Sequence, residues 1–580
     1  MNSKQLRTVL TVTAGVILLW ILSPLAGVRP RTPQVSGDPL QFNAARALEA
    51  TGEFVAQCPE RVFGSLESRP ATGFLRDTLQ TLGYEWDYLN VEGKIDGHKE
   101  VGRDILGYKA GPDPEIIAIV AHYDTAPTTV QGAADNGSGV GVLIELARIL
   151  AERPARKSIL IVFTDGGEWG MLGARDLARR YPERSRIAAL LSLDHVDIGD
   201  LAELRLDETG LKRGFTPPWY RLLAFESAKA GGLPVQFSAG LEEHLDRTFY
   251  IPWTDQGPFL AEGIPAVNLS SRSVDSELSK AVYHSPNDTI DNLKPAGIKS
   301  FGIAAERIVR TLDALPSIPS GPADSFRLSS GLFLNPGIVG MLHWLLFVPL
   351  PLCIFFHWRN HSTGVPIREM GREILAYLAT ILPMLMFYMV ILLIRVLKRL
   401  PSYELYPATA KDPILQEPAW GVLAVIAASG FIIGCICAGL YMFAFRKRPR
   451  RNFEASKTAL LCLMLAVVAA ALVYNSYWAV TVLALPCWIW SLVGKSLTWP
   501  GRLWHWLWIS SAAIPGCLAL WRIFSNLSPG SNFLWYLTLS LSNGLFSARG
   551  FILGTAAVAL GIRFLVIQLH RGIVAANDQS

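Results

Sequence analysis

IIAIVAHYD (116–124), GAADNGSGV (132–140), ILIVFTDGGEWG (159–170), ALLSLDHVD (189–197) and, after a loop, VYHSPNDT (282–289) are the stretches that decide this chain's fold. The first, third and fourth are apolar runs of strand length that stop abruptly at polar or Gly-rich residues. Runs of that kind suit strands buried on both faces, and open α/β sheets build their sites at the carboxyl ends of such strands. Five side chains stand at those ends or in the loops beside them: His122, Asp135, Glu168, Asp194 and His284. Singly, each reads equally well as a solvated loop residue or a strand-end cap. Together, two imidazoles and three carboxylates are donors that zinc accepts. Two ions need two terminal imidazoles, two terminal carboxylates and one carboxylate shared between them. Asp124, two residues after His122 on the same side of an extended segment, is positioned to hold that imidazole in one tautomer.

Helical patterns alternate with these runs. Residues 138–152 put Val140, Leu143, Ile144 and Ala147 on one face, and helical periodicity also covers 41–57 and 68–82. The alternation predicts an α/β fold, a mostly parallel, helix-covered sheet spanning residues 39–320 and ended by the Pro-rich stretch 315–322. No internal repeat or low-complexity run is evident.

At 580 residues the chain exceeds one ordinary domain, and its composition changes near residue 330. Hydrophobic content of 51%, charged content of 17% and a mean hydropathy of +0.30 point to an integral membrane protein, with the excess in the second half. A crossing needs about twenty apolar residues. Candidates run at 8–28, 337–357, 373–396, 420–445, 458–475, 478–494, 503–523, 533–547 and 550–569. The first follows Lys4 and Arg7 without a small-x-small cleavage site, so it reads as a retained anchor rather than a cleaved signal. Segment 533–547 is short enough to be re-entrant, and the pair flanking Asn475 also reads as one kinked hairpin. The expected organisation is an anchor and tether over 1–38, the α/β domain over 39–320, and an all-α polytopic transmembrane domain of about eight spans over 330–572. Arg395 and Arg563, near span ends, are expected to snorkel to the interface, and Trp344, Trp358, Trp420, Trp499, Trp504 and Trp535 to form an interfacial belt.

Basic residues in the loops Arg359 to Arg372, Arg446 to Arg451 and Lys495 to Arg502 fall on one side of the span count, together with the N-terminus. The positive-inside rule makes that side cytoplasmic and puts the α/β domain outside. Beside a span, the Arg446 to Arg451 cluster reads as a topology signal rather than a nucleic-acid patch. Cys58 is the single cysteine of the α/β domain, which excludes a disulfide within it. The sequons at Asn136 and Asn287 fall in the proposed site loops, where glycans would obstruct it; this favours a bacterial inner membrane facing the periplasm over a eukaryotic endomembrane lumen.

Over residues 40 to 315 these motifs resemble the co-catalytic di-zinc aminopeptidases of the zinc exopeptidase superfamily. The layout of an anchor, an outer domain and further spans is similar to the vacuolar and endoplasmic-reticulum membrane branch of that family. The resemblance implies that His122, Asp135, Glu168, Asp194 and His284 hold two Zn2+ ions, with Asp124 behind His122 and Asp135 bridging. It also implies a cis peptide from Asp135 to Asn136. In this reading His122 and Glu168 serve one ion, Asp194 and His284 the other. Asp255-Gln256-Gly257-Pro258-Phe259 and Gly263-Ile264-Pro265-Ala266 look like the family's loop and last core strand.

One position departs from the pattern. Where the family carries a Glu that acts as general base, this chain has Gly167, and only the ligand Glu168 remains. A positioned base is worth about 10² to 10⁴ in rate. Asp165, two residues before Gly167, is the first surrogate, against its reading as a strand-end cap. His195 and the loop-like Glu242-Glu243-His244 cluster are weaker ones. Gly167→Glu is expected to restore a base without touching the ligands. The leading expectation is a membrane-anchored zinc aminopeptidase acting on peptides outside the cytoplasm. Its partners are a peptide or protein substrate and the lipid bilayer, without nucleic acid. The alternative is a catalytically silent module that binds a partner protein, similar to the metallopeptidase-like subunit of the glycosylphosphatidylinositol transamidase.

Overall fold

The computed structural model describes residues 3–31, 33–95, 98–319, 324–361, 367–401, 417–444, 453–492, 507, 510–527 and 532–577. Eight strands form one sheet: β1 (Glu85–Ile95), β2 (His98–Lys109), β3 (Asp113–His122), β4 (Lys157–Thr164), β5 (Ile187–Leu193), β6 (Leu201–Asp207), β7 (Val235–Phe237) and β8 (Ala266–Ser273). Their order is β1-β2-β4-β3-β5-β8-β6-β7. The central β4-β3-β5-β8 block is parallel, and β2 and β6 join its two sides antiparallel. The mostly parallel α/β sheet expected from the sequence is therefore present.

The apolar runs form the centre because both their faces are covered. Along β3, Ile117, Ile119 and Ala121 join one buried cluster, and Ile116, Ala118 and Val120 the opposite one, as the two-residue period of a strand requires. Helices α2 (Ala44–Gln57), α4 (Ser138–Glu152) and α10 (Pro295–Ala314) supply the first layer. Helices α5 (Leu172–Arg180) and α8 (Gln256–Ala261) supply the second. Helices α1 (Ser3–Leu22), α3 (Arg69–Thr81), α6 (Pro218–Ala228), α7 (Leu241–Phe249) and α9 (Ser276–Val282) complete this half. A hairpin of β9 (Phe326–Ser329) and β10 (Leu332–Leu334) comes next, and Phe333 pairs with Val28 beyond α1.

The second half is helical: α11 (Pro336–Leu345), α12 (Pro349–His361), α13 (Ile367–Val396), α14 (Trp420–Ala444), α15 (Phe453–Tyr474), α16 (Ser476–Ala479), α17 (Leu485–Leu492), α18 (Ile514–Leu527), α19 (Phe533–Asn543) and α20 (Ala548–Asn577). Among the described residues six helical stretches are long and apolar enough to cross a membrane: Ser3–Ala26, Pro336–Asn360, Ile367–Val396, Trp420–Gly439, Phe453–Tyr474 and Ala548–Gln568. Three other expected spans differ. The segment after Asn475 is helical from Ser476 to Leu492, where the described residues break off, 533–547 holds the 11-residue α19, and 503–523 lies partly outside the described residues. The basic stretches 446–451 and 495–502, which carry the orientation argument, also lie outside them.

One polar expectation for these helices is corrected. Arg563 does not snorkel: it is 3% exposed and donates from Nε to Glu373 Oε1 on α13 at 2.8 Å. Desolvation makes an unpaired buried charge costly, so the guanidinium takes the carboxylate within reach. Arg395 donates to the carbonyl of Ser542. Of the expected interfacial tryptophans, Trp344, Trp358 and Trp420 are exposed, whereas Trp535 is buried against Ile391, Ile394 and Leu400; Trp499 and Trp504 lie outside the described residues.

Candidate metal centre

Each of the five donors leaves the core where a strand or the loop after it ends. His122 closes β3, Glu168 lies beyond β4, Asp194 directly after β5, Asp135 in the turn before α4, and His284 after α9. Their ligand atoms converge into two groups, His122/Asp135/Asp194 and Asp135/Glu168/His284, with all atoms of a group within 4.8 Å of one another. Asp135 belongs to both through different oxygens: Oδ1 is 3.4 Å from His122 Nε2, and Oδ2 is 3.0 Å from His284 Nε2. His122 Nε2 is 3.5 Å from Asp194 Oδ1, and His284 Nε2 is 3.1 Å from Glu168 Oε2. The pairing expected from sequence, His122 with Glu168 and Asp194 with His284, is thus exchanged. Strand order explains it: β3 and β5 are neighbours, which brings His122 to Asp194, while Glu168 lies beyond β4 on the other side.

The Asp135 turn is held from several directions. The carboxylate of Asp288 accepts from Ala134 N at 2.7 Å and Asp135 N at 3.1 Å. Asn136 Nδ2 donates to Leu193 O at 2.9 Å, and its Oδ1 accepts from His195 N at 3.0 Å. The Asp135–Asn136 peptide is cis. Asp124 Oδ1 lies 3.3 Å from His122 Nδ1 and accepts from Gly167 N at 2.8 Å, and Oδ2 accepts from Glu168 N at 3.2 Å. One buried carboxylate therefore orients the His122 imidazole and the loop that bears Glu168.

The electrostatics suit cations. Burial lowers the pKa of His122, but Asp194 and the other carboxylates outweigh it and hold the imidazole well above its ordinary value. Burial likewise opposes protonation of His284, yet Glu168 and Asp135 raise it to about 10. Burial raises Asp135, and the two imidazoles overcome that and hold it well below the usual range. Glu168 is pushed up to about 7 by burial, and its buried Oε1 has no hydrogen-bond partner among the described residues. A cavity that draws protons onto both imidazoles and leaves a carboxylate oxygen unsatisfied fits two divalent cations, and the N/O donor set fits zinc.

The candidate bases fare differently. Asp165 joins neither group. Its Oδ2 accepts from Tyr123 Oη at 2.8 Å and Arg103 N at 3.1 Å, its Oδ1 from Gly166 N at 2.9 Å, and burial pushes it to about 7. The expectation that it shares a face with residue 167 fails because β4 ends at Thr164 and Gly166, at φ +71°, turns the chain. His195 lies 3.5 Å from Asp197. Glu242-Glu243-His244 is not a loop but part of α7, and Glu243 is fully buried between Arg221 and Arg247. A Cβ at Gly167 would stand 2.6, 2.7 and 2.8 Å from Cγ, Cβ and Nδ1 of His122, so Gly167→Glu cannot leave the ligands untouched as expected.

Sequence reading missed Asp255 as a site residue. It is 2% exposed, accepts from Thr164 Oγ1 at 2.5 Å, and is pushed to about 6 by burial, with His122, Asp194 and Asp124 among the charges acting on it. The signal was available in the Asp-Gln-Gly-Pro-Phe loop ahead of β8.

Residues 105–309, which contain all five donors, match the model of peptidase family M28. The chain is 28% identical over 217 residues to the alkaline phosphatase isozyme conversion protein of Escherichia coli, covering 33% of this chain and 61% of that protein. It is 24% identical over 216 residues to aminopeptidase YwaD of Bacillus subtilis, covering 35% and 43%. With the vacuolar membrane protease of Candida albicans it shares 22% over 253 residues, covering 42% and 27%. The chain thus spans less than two thirds of the length of each of these relatives. The two converging groups lie wholly within the matched residues, so residues 105–309 carry a domain similar to peptidase family M28.

Proposed function

We propose that this protein is a membrane-tethered metallo-exopeptidase of aminopeptidase type, acting on peptides outside the cytoplasm, with residues 1–38, 39–320 and 330–572 as anchor, peptidase domain and membrane domain. The observation that carries the reading is the two-sided carboxylate of Asp135, one oxygen toward His122 and the other toward His284. Asp135 would be shared, with His122 and Asp194 completing one site and Glu168 and His284 the other. Zinc bound there supplies Lewis-acid polarisation of a peptide carbonyl and acidification of water.

The chain's own residues do the rest. Asp124 fixes the His122 ring and the Gly167-Glu168 backbone. Asp255, buried and pushed to about 6, holds or releases a proton near neutral pH, and supports the reading that acid–base work is carried from the loop before α8 instead of residue 167. The test is zinc content together with hydrolysis of an aminoacyl amide by the full chain. Two zinc ions per chain and hydrolysis lost in Asp255→Asn at unchanged zinc content are expected; no zinc uptake sinks the proposal. Gly167 favours one second reading, a silent module that binds a peptide or partner protein; two bound zinc ions without any hydrolysis would select it.

A further inference from the structure

The membrane helices do more than tether. Helix α15 ends at Tyr474, Asn475 is extended at φ −160° and ψ 108°, and α16 begins at Ser476. A helix start leaves backbone donors unsatisfied, and a helix end leaves acceptors. The Asn475 amide serves one of each. Its Oδ1 accepts from Tyr477 N at 3.0 Å and Trp478 N at 3.1 Å, capping α16. Its Nδ2 donates to Arg247 O at 2.9 Å and Thr248 O at 3.2 Å, in the last turn of α7 of the peptidase domain. Thr481 adds to the junction, its Oγ1 lying 2.9 Å from His244 Nε2 and 3.1 Å from Thr248 Oγ1. The Arg247 guanidinium lies 4.2 Å from the Phe215 ring and 5.5 Å from that of Tyr477.

Beyond α7 the chain runs on to the end of β4, where Thr164, the residue in register with His122 on β3, holds Asp255. Tyr250, in the left-handed region at φ 49°, closes α7 by donating from N to Asp246 O at 2.8 Å, and its carbonyl accepts from Lys212 N. Ile251 packs against the cluster of Ile391, Leu400 and Trp535 and against Leu211 and Leu545. Four residues later Asp255 meets Thr164 at the end of β4. From Phe249 to Asp255 the chain reaches at most about 21 Å, so the end of α7 and the Asp255 carboxyl are joined by a short strap packed against the membrane helices.

We infer that Asn475, at a break between membrane helices, is a positioning residue of the metal centre, acting by closing the end of α7 and so fixing the strap that carries Asp255. The inference rests on the proposed metal site. It gives the membrane domain a part in shaping that site.

The test uses the solubilised full chain, Zn2+ alone as the probe, and amide hydrogen exchange over residues 244–254. Asn475→Asp keeps the oxygens that cap α16 but removes the donor to Arg247 O and Thr248 O. Thr481→Val cuts the same junction elsewhere and serves should Asn475→Asp not fold. Tyr377→Phe, which removes a hydrogen bond to Ala556 O inside the membrane bundle, controls for general loosening. Asn475→Asp should exchange about 10-fold faster over that stretch and bind Zn2+ about 10-fold more weakly, with Tyr377→Phe unchanged in both. Wild-type exchange and affinity in Asn475→Asp overturn the inference, as does faster exchange at unchanged affinity, which reduces Asn475 to a structural cap. A wild type that takes up no Zn2+ overturns the metal reading and the positioning role with it. That result is distinct from failure of the inference alone, in which both proteins bind Zn2+ equally.

Discussion

Gly167 lies so close to the imidazole of His122 that a methyl group there would stand 2.6 Å from the ring's Cγ. The same residue donates its N–H to Asp124 Oδ1, which also lies 3.3 Å from His122 Nδ1. Where the family it resembles carries an acid–base side chain, the chain instead brings its backbone against the His122 ring. That contact reverses the expectation for substituting it.

Gly167→Ala and Gly167→Glu should both displace His122 and weaken zinc binding by about 10- to 100-fold, the range for disturbing a ligand's support. Neither should raise hydrolysis. Zinc titration against metal-free protein checks the first statement, and an aminoacyl-amide assay at saturating zinc checks the second. A faster Gly167→Glu enzyme with intact affinity would show that the loop relaxes and that the close contact is dispensable.

Stoichiometry separates the two proposed sites. His122→Ala and Asp194→Ala should each lower the zinc content from two to about one per chain, Glu168→Ala and His284→Ala likewise, and Asp135→Ala should abolish both. Elemental analysis after dialysis reads this directly. Equal partial loss in all five variants would contradict a shared Asp135.

Asp255 makes stability depend on pH. Burial raises its pKa from 3.8 to about 6 in the folded chain. Between those values the folded state holds more protons than the unfolded state, so this group's contribution to stability falls as pH rises from 4 to 6. Above pH 6 the buried carboxylate destabilises by at most about 3 kcal/mol. Metal-free Asp255→Asn should therefore melt above wild type at about pH 7.5, and the difference should vanish at about pH 4. Thermal unfolding at the two pH values tests the sign.

Glu373 and Arg563 are each 3% exposed and pair between α13 and α20. Glu373→Gln leaves a buried guanidinium without its counter-charge and should destabilise the membrane domain by about 3 to 5 kcal/mol, while Glu373→Gln with Arg563→Met should recover most of that loss. Thermal denaturation in detergent distinguishes the pair from a surface contact, for which both variants would behave as wild type.

Legible in the sequence alone were the sheet's central strands, five candidate donor residues and the change to membrane composition near residue 330. Each of these is a local property: an apolar run bounded by polar residues, a donor type at a strand end, a stretch of about twenty residues without charge. Tertiary structure decided everything that depends on which distant segments meet. The order β4-β3-β5 sets His122 beside Asp194 and not beside Glu168. The turn at Gly166 takes Asp165 away to Tyr123 and Arg103, against the two-residue period that linked it to the site. Arg563 reads as a snorkelling residue until Glu373, 190 positions earlier, is seen at 2.8 Å. Asn475 reads as the kink of a membrane hairpin until the carbonyls of α7 are found on its amide. A local pattern states what a residue can offer; the fold supplies the partner, because burial makes an unmet charge or donor costly and so selects the arrangement in which each is met.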